Sequence, residues 1–329
     1  MNNSRSRLAP VALFVFNRPS LLVNAVDTLL KNPLCADTEL YVFSDGPRTT
    51  RPDDYAKVEA VRDYVRRISG FKKVHIENRE TNLGVRMNVH TGIDAILRSH
   101  DRVIALEDDL LYAPNFLDYM NGALDLYKDV PKVWCVNGCS LNRKSLTIPE
   151  SWPYDAYFLP RNNSYGWGIW KNRWELVDFD LKRQWRAFRA SDARGKLARA
   201  GADLPAMLRD AALGRVNSWA VSLTVAITTN GGLCVTPVHS YVAAQPNAAG
   251  MHVAATDERV THELSYTKWP LRFPEDIRMS PDIQRAFLQA YQPGWRTPRD
   301  RVLEAGSLLK WRCKAVVGAL CRGVDGLIA

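Results

Sequence analysis

Three consecutive carboxylates, Glu107, Asp108 and Asp109, follow directly on the apolar run from Val103 to Leu106. Like charges held side by side repel, and a strand end cannot bury them without compensation. A positive group is therefore expected there. One or two carboxylates acting with the phosphate oxygens of a substrate are an economical way to hold Mg2+ or Mn2+. The same three acids also fit a solvated turn at a helix N-terminus, where the helix dipole favours negative side chains. The surroundings decide between these readings.

The first half of the chain alternates short β-rich runs with helical patterns. Strands are predicted at 11 to 16, 40 to 44, 73 to 77 and 102 to 106, and helices from Ser20 to Leu30, Asp54 to Ile68 and Met87 to Arg98. That order predicts βαβ units and a mainly parallel sheet covered on both faces. Ligands of such sheets gather beyond the carboxyl ends of the strands. Each strand there ends in polar residues: Asn17-Arg18, Ser44-Asp45-Gly46, the segment "NRETNLGVR", and Glu107-Asp108-Asp109. On this rim Asp45 and Asp108 can read a base and a ribose, with a metal on Asp109 bridging a diphosphate. No GxxxxGK[ST] loop is present, and no GxGxxG follows the first strand, so the usual phosphate loops are excluded.

Further along, a helix is predicted at 115 to 128 and a strand at 133 to 138. The runs "SLTVAITT" and "LCVTPV", joined by Asn230-Gly231-Gly232, read as a strand pair with a hairpin turn. Between them and the preceding strand, Lys182 to Arg215 carries nine Lys or Arg and three Asp, a solvated helical face. The net charge of +9 asks for an anionic partner, but the basic residues follow no nucleic-acid module, so nucleic acid is not expected. Six cysteines without CxxC spacing are expected as reduced thiols in a cytoplasmic setting, with no zinc site. No stretch reaches the roughly 18 apolar residues of a membrane span.

The segments "VALFVFNRP", "FSDGPR", "NLGVR", "VIALEDDLLYAPNFLDYM", "VWCVNG" and "YGWGIWKNRWE", in this order, resemble nucleotide-sugar glycosyltransferases of the GT-A fold. The likeness is to bacterial family-2-like sugar transferases related to the Golgi enzyme N-acetylglucosaminyltransferase I, over about residues 10 to 255. It implies a Rossmann-like GT-A domain over 1–260, followed by a C-terminal helical extension over 261–329. It also implies a nucleotide-diphosphate sugar donor, with a UDP-sugar the first choice, a Mn2+ or Mg2+ ion, and inversion at the anomeric carbon.

Carried over by residue, the resemblance makes Arg18 a phosphate contact and Asp45 a nucleobase contact, with Asn82 and Arg86 lining the base pocket. Glu107 and Asp108 would hold sugar and ribose, and Asp109 the metal. Gly166, Trp167 and Gly168 would wall the donor-sugar and acceptor pocket, with core packing the competing role for Trp167. His252, in "AAGMHV", would reach metal or phosphate from a lid. Such enzymes need a carboxylate base to take the acceptor proton. Relatives carry an aspartate just before "SW", where this chain has Asn217. Either Asn217 only positions the acceptor, or the base is elsewhere, with Asp178, Asp210 and Glu175 as candidates.

The acceptor implied is a glycan or lipid-linked saccharide of surface polysaccharide or lipopolysaccharide synthesis. From Arg296 to Ala329 the chain mixes seven Lys or Arg and three acids with apolar residues, which reads as a helix on the inner face of a membrane or one docked on the catalytic domain. Alternatives to an active transferase are a catalytically weak sugar-binding homologue, because of Asn217, and a nucleotidyltransferase.

Overall fold

The computed structural model describes residues 8–142, 144–191, 194–245, 262–264 and 268–291. The amino-terminal half runs β1 (Val11–Val15), α1 (Pro19–Leu29), β2 (Glu39–Ser44), α2 (Asp53–Val65), β3 (Lys73–Asn78), α3 (Gly84–Leu97) and β4 (Arg102–Glu107). Then come β5 (Leu110–Tyr112), α4 (Phe116–Leu126), β6 (Val133–Asn137), β7 (Ala156–Leu159), β8 (Trp167–Trp170), α5 (Lys171–Trp174), α6 (Leu181–Ala190), α7 (Arg194–Ala198), α8 (Leu204–Ala212), α9 (Ala220–Thr229), β9 (Leu233–Pro237), β10 (Val242–Ala244) and α10 (Pro281–Ala290).

Eight strands form one sheet in the order β3-β2-β1-β4-β8-β6-β9-β7, and β5 pairs with β10 beside it. The strands β3, β2, β1 and β4 are mutually parallel; β8 and β7 run against their neighbours. The architecture is the mixed, mainly parallel α/β sheet expected. All five residues of β1 and the first five of β4 are buried, so these strands carry continuous apolar runs rather than alternation. Odd-numbered residues such as Val11 and Leu13 pack under α1, α2 and α4. Ala12 and Phe14 face α3 and α9.

The strand order reverses at β1, because β2 lies on one side of it and β4 on the other. The crevice between the carboxyl ends of β1 and β4 is thus the topological switch point, where open α/β sheets bind ligands.

One expectation fails. "SLTVAITT" is not a strand but most of α9, and every residue from Val221 to Thr228 is buried. A helix buried on all sides has no polar face, so its sequence carries no 3.6-residue signal, and β-branched residues then mimic a strand. Two threonine hydroxyls are satisfied within the helix, Thr228 donating to the Thr224 carbonyl at 2.8 Å and Thr229 to Val225 at 2.8 Å, while Thr224 donates to the Asn162 side-chain oxygen. Asn230-Gly231-Gly232 ends that helix rather than turning a hairpin. Gly231 takes φ +65°, while its N–H and that of Gly232 bond back to the carbonyls of Thr228 and Ile227. β9 consequently pairs with β6 and β7.

The basic stretch folds as α6, α7 and α8, packed on α9 through Leu181, Phe188, Leu197, Leu204 and Leu208. Past residue 262, Tyr127 donates to the Pro274 carbonyl at 2.7 Å, and α10 buries Ile283 and Phe287 against Tyr157 and Leu159. The expected boundary at 260 and the basic tail lie outside the described residues. No helix among the described residues is long and apolar enough to cross a membrane.

Candidate active site

The carboxyl ends of β1 and β4 are in register, with Phe14 opposite Glu107. The next residues therefore meet across the switch point. Arg18, just before α1, places its guanidinium between two acids, bonding Asp109 at 2.7 Å through Nη1 and Asp108 through Nη2. The Phe16 N–H adds a bond to the second oxygen of Asp108 at 3.3 Å. The positive group expected beside the triplet is thus supplied first by the chain itself.

Burial sets the electrostatics. Asp108 is 1% exposed, and its pKa is pushed up to about 6 by loss of solvent, with Arg18 pulling the other way. Glu107 is pushed up to about 8 by burial and by the Asp109 and Asp108 charges, against Arg18 and a hydrogen bond from the Trp219 indole. Burial works against the Arg18 charge, but Asp108 and Asp109 outweigh it and raise its pKa. Asp109 is the open member: its side chain is 14% exposed, and Arg18 engages only one of its oxygens.

Gln245 closes this corner, a residue that the sequence did not single out. Its N–H bonds the Asp109 carbonyl at 2.9 Å, and its side-chain amide donates to the Leu21 carbonyl at 2.8 Å. It thereby ties β10 and α1 to the acidic turn. His252, seven residues on, lies outside the described residues.

Asp45 sits at the carboxyl end of β2, where its two oxygens accept four N–H bonds. The donors are the main chain of Gly46 (2.9 Å), Leu83 (2.8 Å) and Gly84 (2.9 Å), and the Asn82 amide (3.1 Å). Burial still holds the Asp45 pKa above its ordinary value, against those bonds. Asp45 and Asn82 thus fasten the "NLG" segment and the start of α3 to β2. The fit is close: a Cβ on Gly46 would lie 2.5 Å from the Thr81 carbonyl carbon. Arg86 points away from this corner and donates to the Phe179 carbonyl at 2.5 Å. At the end of β1, Asn17 and Arg48 both bond Asp54, at 2.7 Å and 2.5 Å, and the Arg48 guanidinium lies over the Phe16 ring.

Asn217 is on the same rim. It is exposed, and its amide nitrogen lies 2.9 Å from where a Cβ on Gly84 would stand. Two residues on, the Trp219 ring stacks on Trp167 at 4.5 Å while its indole bonds Glu107. The alternative bases are poorly placed. The Asp178 pKa is held down by Arg183, which bonds it at 2.6 and 2.7 Å. Burial raises that of Asp210, but Arg209 and Arg215 hold it down overall. Glu175 follows α5, which starts where Trp170 pairs with Arg102, at the opposite end of β4.

The expected wall needs correction. Gly166, Trp167 and Gly168 are all buried and offer no surface to an acceptor. Trp167 is core, supporting Trp219. Added Cβ atoms on Gly166 and Gly168 would meet Val242 at 3.0 Å and Met120 at 3.1 Å, so these glycines serve close packing of β8.

Among the described residues, no three His, Cys, Asp or Glu side chains converge to form a protein-only metal cage. The donor set fits a different arrangement: one unengaged Asp109 oxygen, completed by phosphate oxygens and water, suits Mg2+ or Mn2+.

A family model described as "GNT-I family" matches residues 2–196. No curated protein matches the chain. Among solved structures, a mannosyltransferase from Pyrobaculum calidifontis, in complex with GDP-Man and Mn2+, is similar at 14% identity. The match covers 68% of this chain and 74% of that one, with a TM-score of 0.37.

Proposed function

The chain belongs to the GNT-I family of glycosyltransferases, and from that premise we propose that it moves a sugar from a nucleotide-diphosphate sugar by a single, metal-dependent displacement that inverts the anomeric carbon. The observation that carries the proposal is the open oxygen of Asp109 beside Arg18 at the β1/β4 switch point. When bound there, Mg2+ or Mn2+ supplies positive charge to the leaving diphosphate.

The protein's own groups do the rest. Arg18 exchanges Asp109 for a phosphate, a partner its planar fork suits equally well. Glu107, oriented by the Trp219 indole, holds hydroxyls of the donor sugar. Phe16 and Arg48 offer a stacked surface to the nucleobase beside the loop that Asp45 secures. A UDP-sugar is the first donor to test. The acceptor is a glycan or lipid-linked saccharide of surface polysaccharide synthesis, used at the inner face of a membrane.

A sugar-binding homologue without turnover is the second reading, favoured by the amide at position 217. A panel of nucleotide sugars with Mn2+, followed by thermal shift and by nucleotide release, separates the two. Transfer by the wild type and its loss in Asp109→Ala support the enzyme; metal-dependent turnover that persists in Asp109→Ala rejects the site.

A further inference from the structure

On the glycosyltransferase reading above, we propose that Gln245 is a positioning residue of the metal and donor site. It fixes the turn that presents the open Asp109 oxygen, and it sets the gap between that turn and Arg18.

The three carbonyls from Asp108 to Leu110 all meet this one residue. The Gln245 N–H donates to the Asp109 carbonyl at 2.9 Å, and the side-chain amide nitrogen faces the carbonyls of Asp108 at 3.4 Å and Leu110 at 3.5 Å. This pairing prolongs the ribbon of β5 and β10, in which Ala244 stands opposite Leu110. The same nitrogen donates to the Leu21 carbonyl at 2.8 Å, in the first turn of the helix that Arg18 precedes. Asn24, three residues further along α1, donates to the amide oxygen at 3.1 Å and so turns the nitrogen towards the carbonyls. Gln245 is buried, which keeps water from competing for these bonds. One neutral side chain thus spans from the helix that starts at Arg18 to the turn that carries Asp109.

Asp109 depends on that hold more than its neighbour does. The Asp108 carboxylate is held by both Arg18 and the Phe16 N–H. Among the described residues, the Asp109 carboxylate accepts only from Arg18. When Arg18 turns to a donor phosphate, that bond is given up, and the main chain alone aims the carboxylate at the cation. Removing a group that orients a metal ligand costs about tenfold or more in metal affinity or activity. Thr28 provides the contrast. Its hydroxyl also ties the ribbon to α1, accepting from the Tyr112 N–H at 3.2 Å, but three residues past Asp109 and without touching the turn.

The test titrates the full-length protein with Mn2+, alone and with UDP or GDP, following thermal melts and counting free Mn2+ by electron paramagnetic resonance. Gln245→Met keeps the length of the side chain and removes the amide. It is expected to raise the apparent Kd for Mn2+ about tenfold or more, and to lower kcat and raise the donor KM while the acceptor KM stays unchanged. Asn24→Ala, at an exposed position, removes only the bond that orients the amide and is expected to raise the Mn2+ Kd about threefold. Thr28→Val is expected to melt lower with the Mn2+ Kd of the wild type. A Gln245→Met protein that melts lower yet keeps the wild-type Mn2+ Kd overturns the proposal, and so does a Thr28→Val protein whose Kd moves as far as that of Gln245→Met. If Gln245→Met does not fold, Asn24→Ala decides, and a wild-type Mn2+ Kd there overturns the proposal. Each of these outcomes leaves the glycosyltransferase reading standing, because the wild type still binds Mn2+. If the wild type binds no Mn2+ with either nucleotide, that reading fails and the role of Gln245 fails with it.

Discussion

Nη1 of Arg18 lies 2.7 Å from a carboxylate oxygen of Asp109, in the corner a divalent cation would share. The guanidinium and the metal therefore compete for the same charge. Arg18→Ala should let Mn2+ alone raise the melting temperature more than it does in the wild type, while lowering the stability of the metal-free protein. That loss, about 2 kcal/mol, reflects a nearly buried Asp108 deprived of a partner that is itself one-quarter exposed. Melting curves with and without Mn2+ and EDTA provide the check. An unchanged Mn2+ response in Arg18→Ala would show that the two cations use different oxygens.

Asp45 offers a second separation of roles. If it chiefly contacts a base, replacing it affects donor binding alone. Its four N–H donors predict otherwise: Asp45→Asn loses an acceptor oxygen and turns an NH2 towards main-chain donors. A stability loss of about 2–3 kcal/mol is expected, from buried donors left unpaired. Urea denaturation of Asp45→Asn without ligand measures it, and a wild-type midpoint would return Asp45 to a purely ligand-binding role.

Much of this architecture was legible in the chain because β1 to β4 alternate with amphipathic helices, and each strand run stops at polar residues. The rim was read from those stops, and Arg18, Asp45 and Glu107 to Asp109 do share it. Orientation was not legible. Arg86 turns to Phe179, and Trp167 turns inward, because a side chain's direction depends on partners distant in sequence. Gln245 had no motif to mark it. α9 was hidden by its complete burial, and Gly231 reveals its end: at φ +65°, Gly231→Val should cost about 1 kcal/mol or more, read as a lower midpoint on urea denaturation.

Asp54 supplies a pH dependence. Hydrogen bonds from Arg48 hold its pKa down to about 2, below the ordinary carboxylate value near 4. A depressed acid stabilises the fold above its unfolded pKa, and that contribution disappears as pH falls from about 4 towards 2. Because Arg48 is 42% exposed, solvent screening limits the effect to about 1 kcal/mol. Asp54→Asn should therefore be less stable than wild type near neutral pH and should lose less stability on acidification. Parallel denaturation curves at neutral pH and near pH 3 decide it, and parallel acid slopes in the two proteins would refute the assignment.

Trp219 joins the core to the chemistry, and two substitutions separate those duties. Its ring stacks on Trp167 at 4.5 Å and is 3% exposed; its indole N–H reaches Glu107. Trp219→Phe keeps most of the stack and removes the donor, so the protein should remain folded with only a modest loss of stability. Glu107 then loses the group that aims it, and kcat should fall about tenfold or more, as when a contact that orients a group at the reacting centre is removed. Trp219→Ala removes the ring as well and should cost about 3–5 kcal/mol of stability. Steady-state kinetics with thermal melts on both variants provide the readout. A Trp219→Phe enzyme with full kcat would show that Glu107 needs no orientation from α9, and that Trp219 serves only to seat the helix on the sheet.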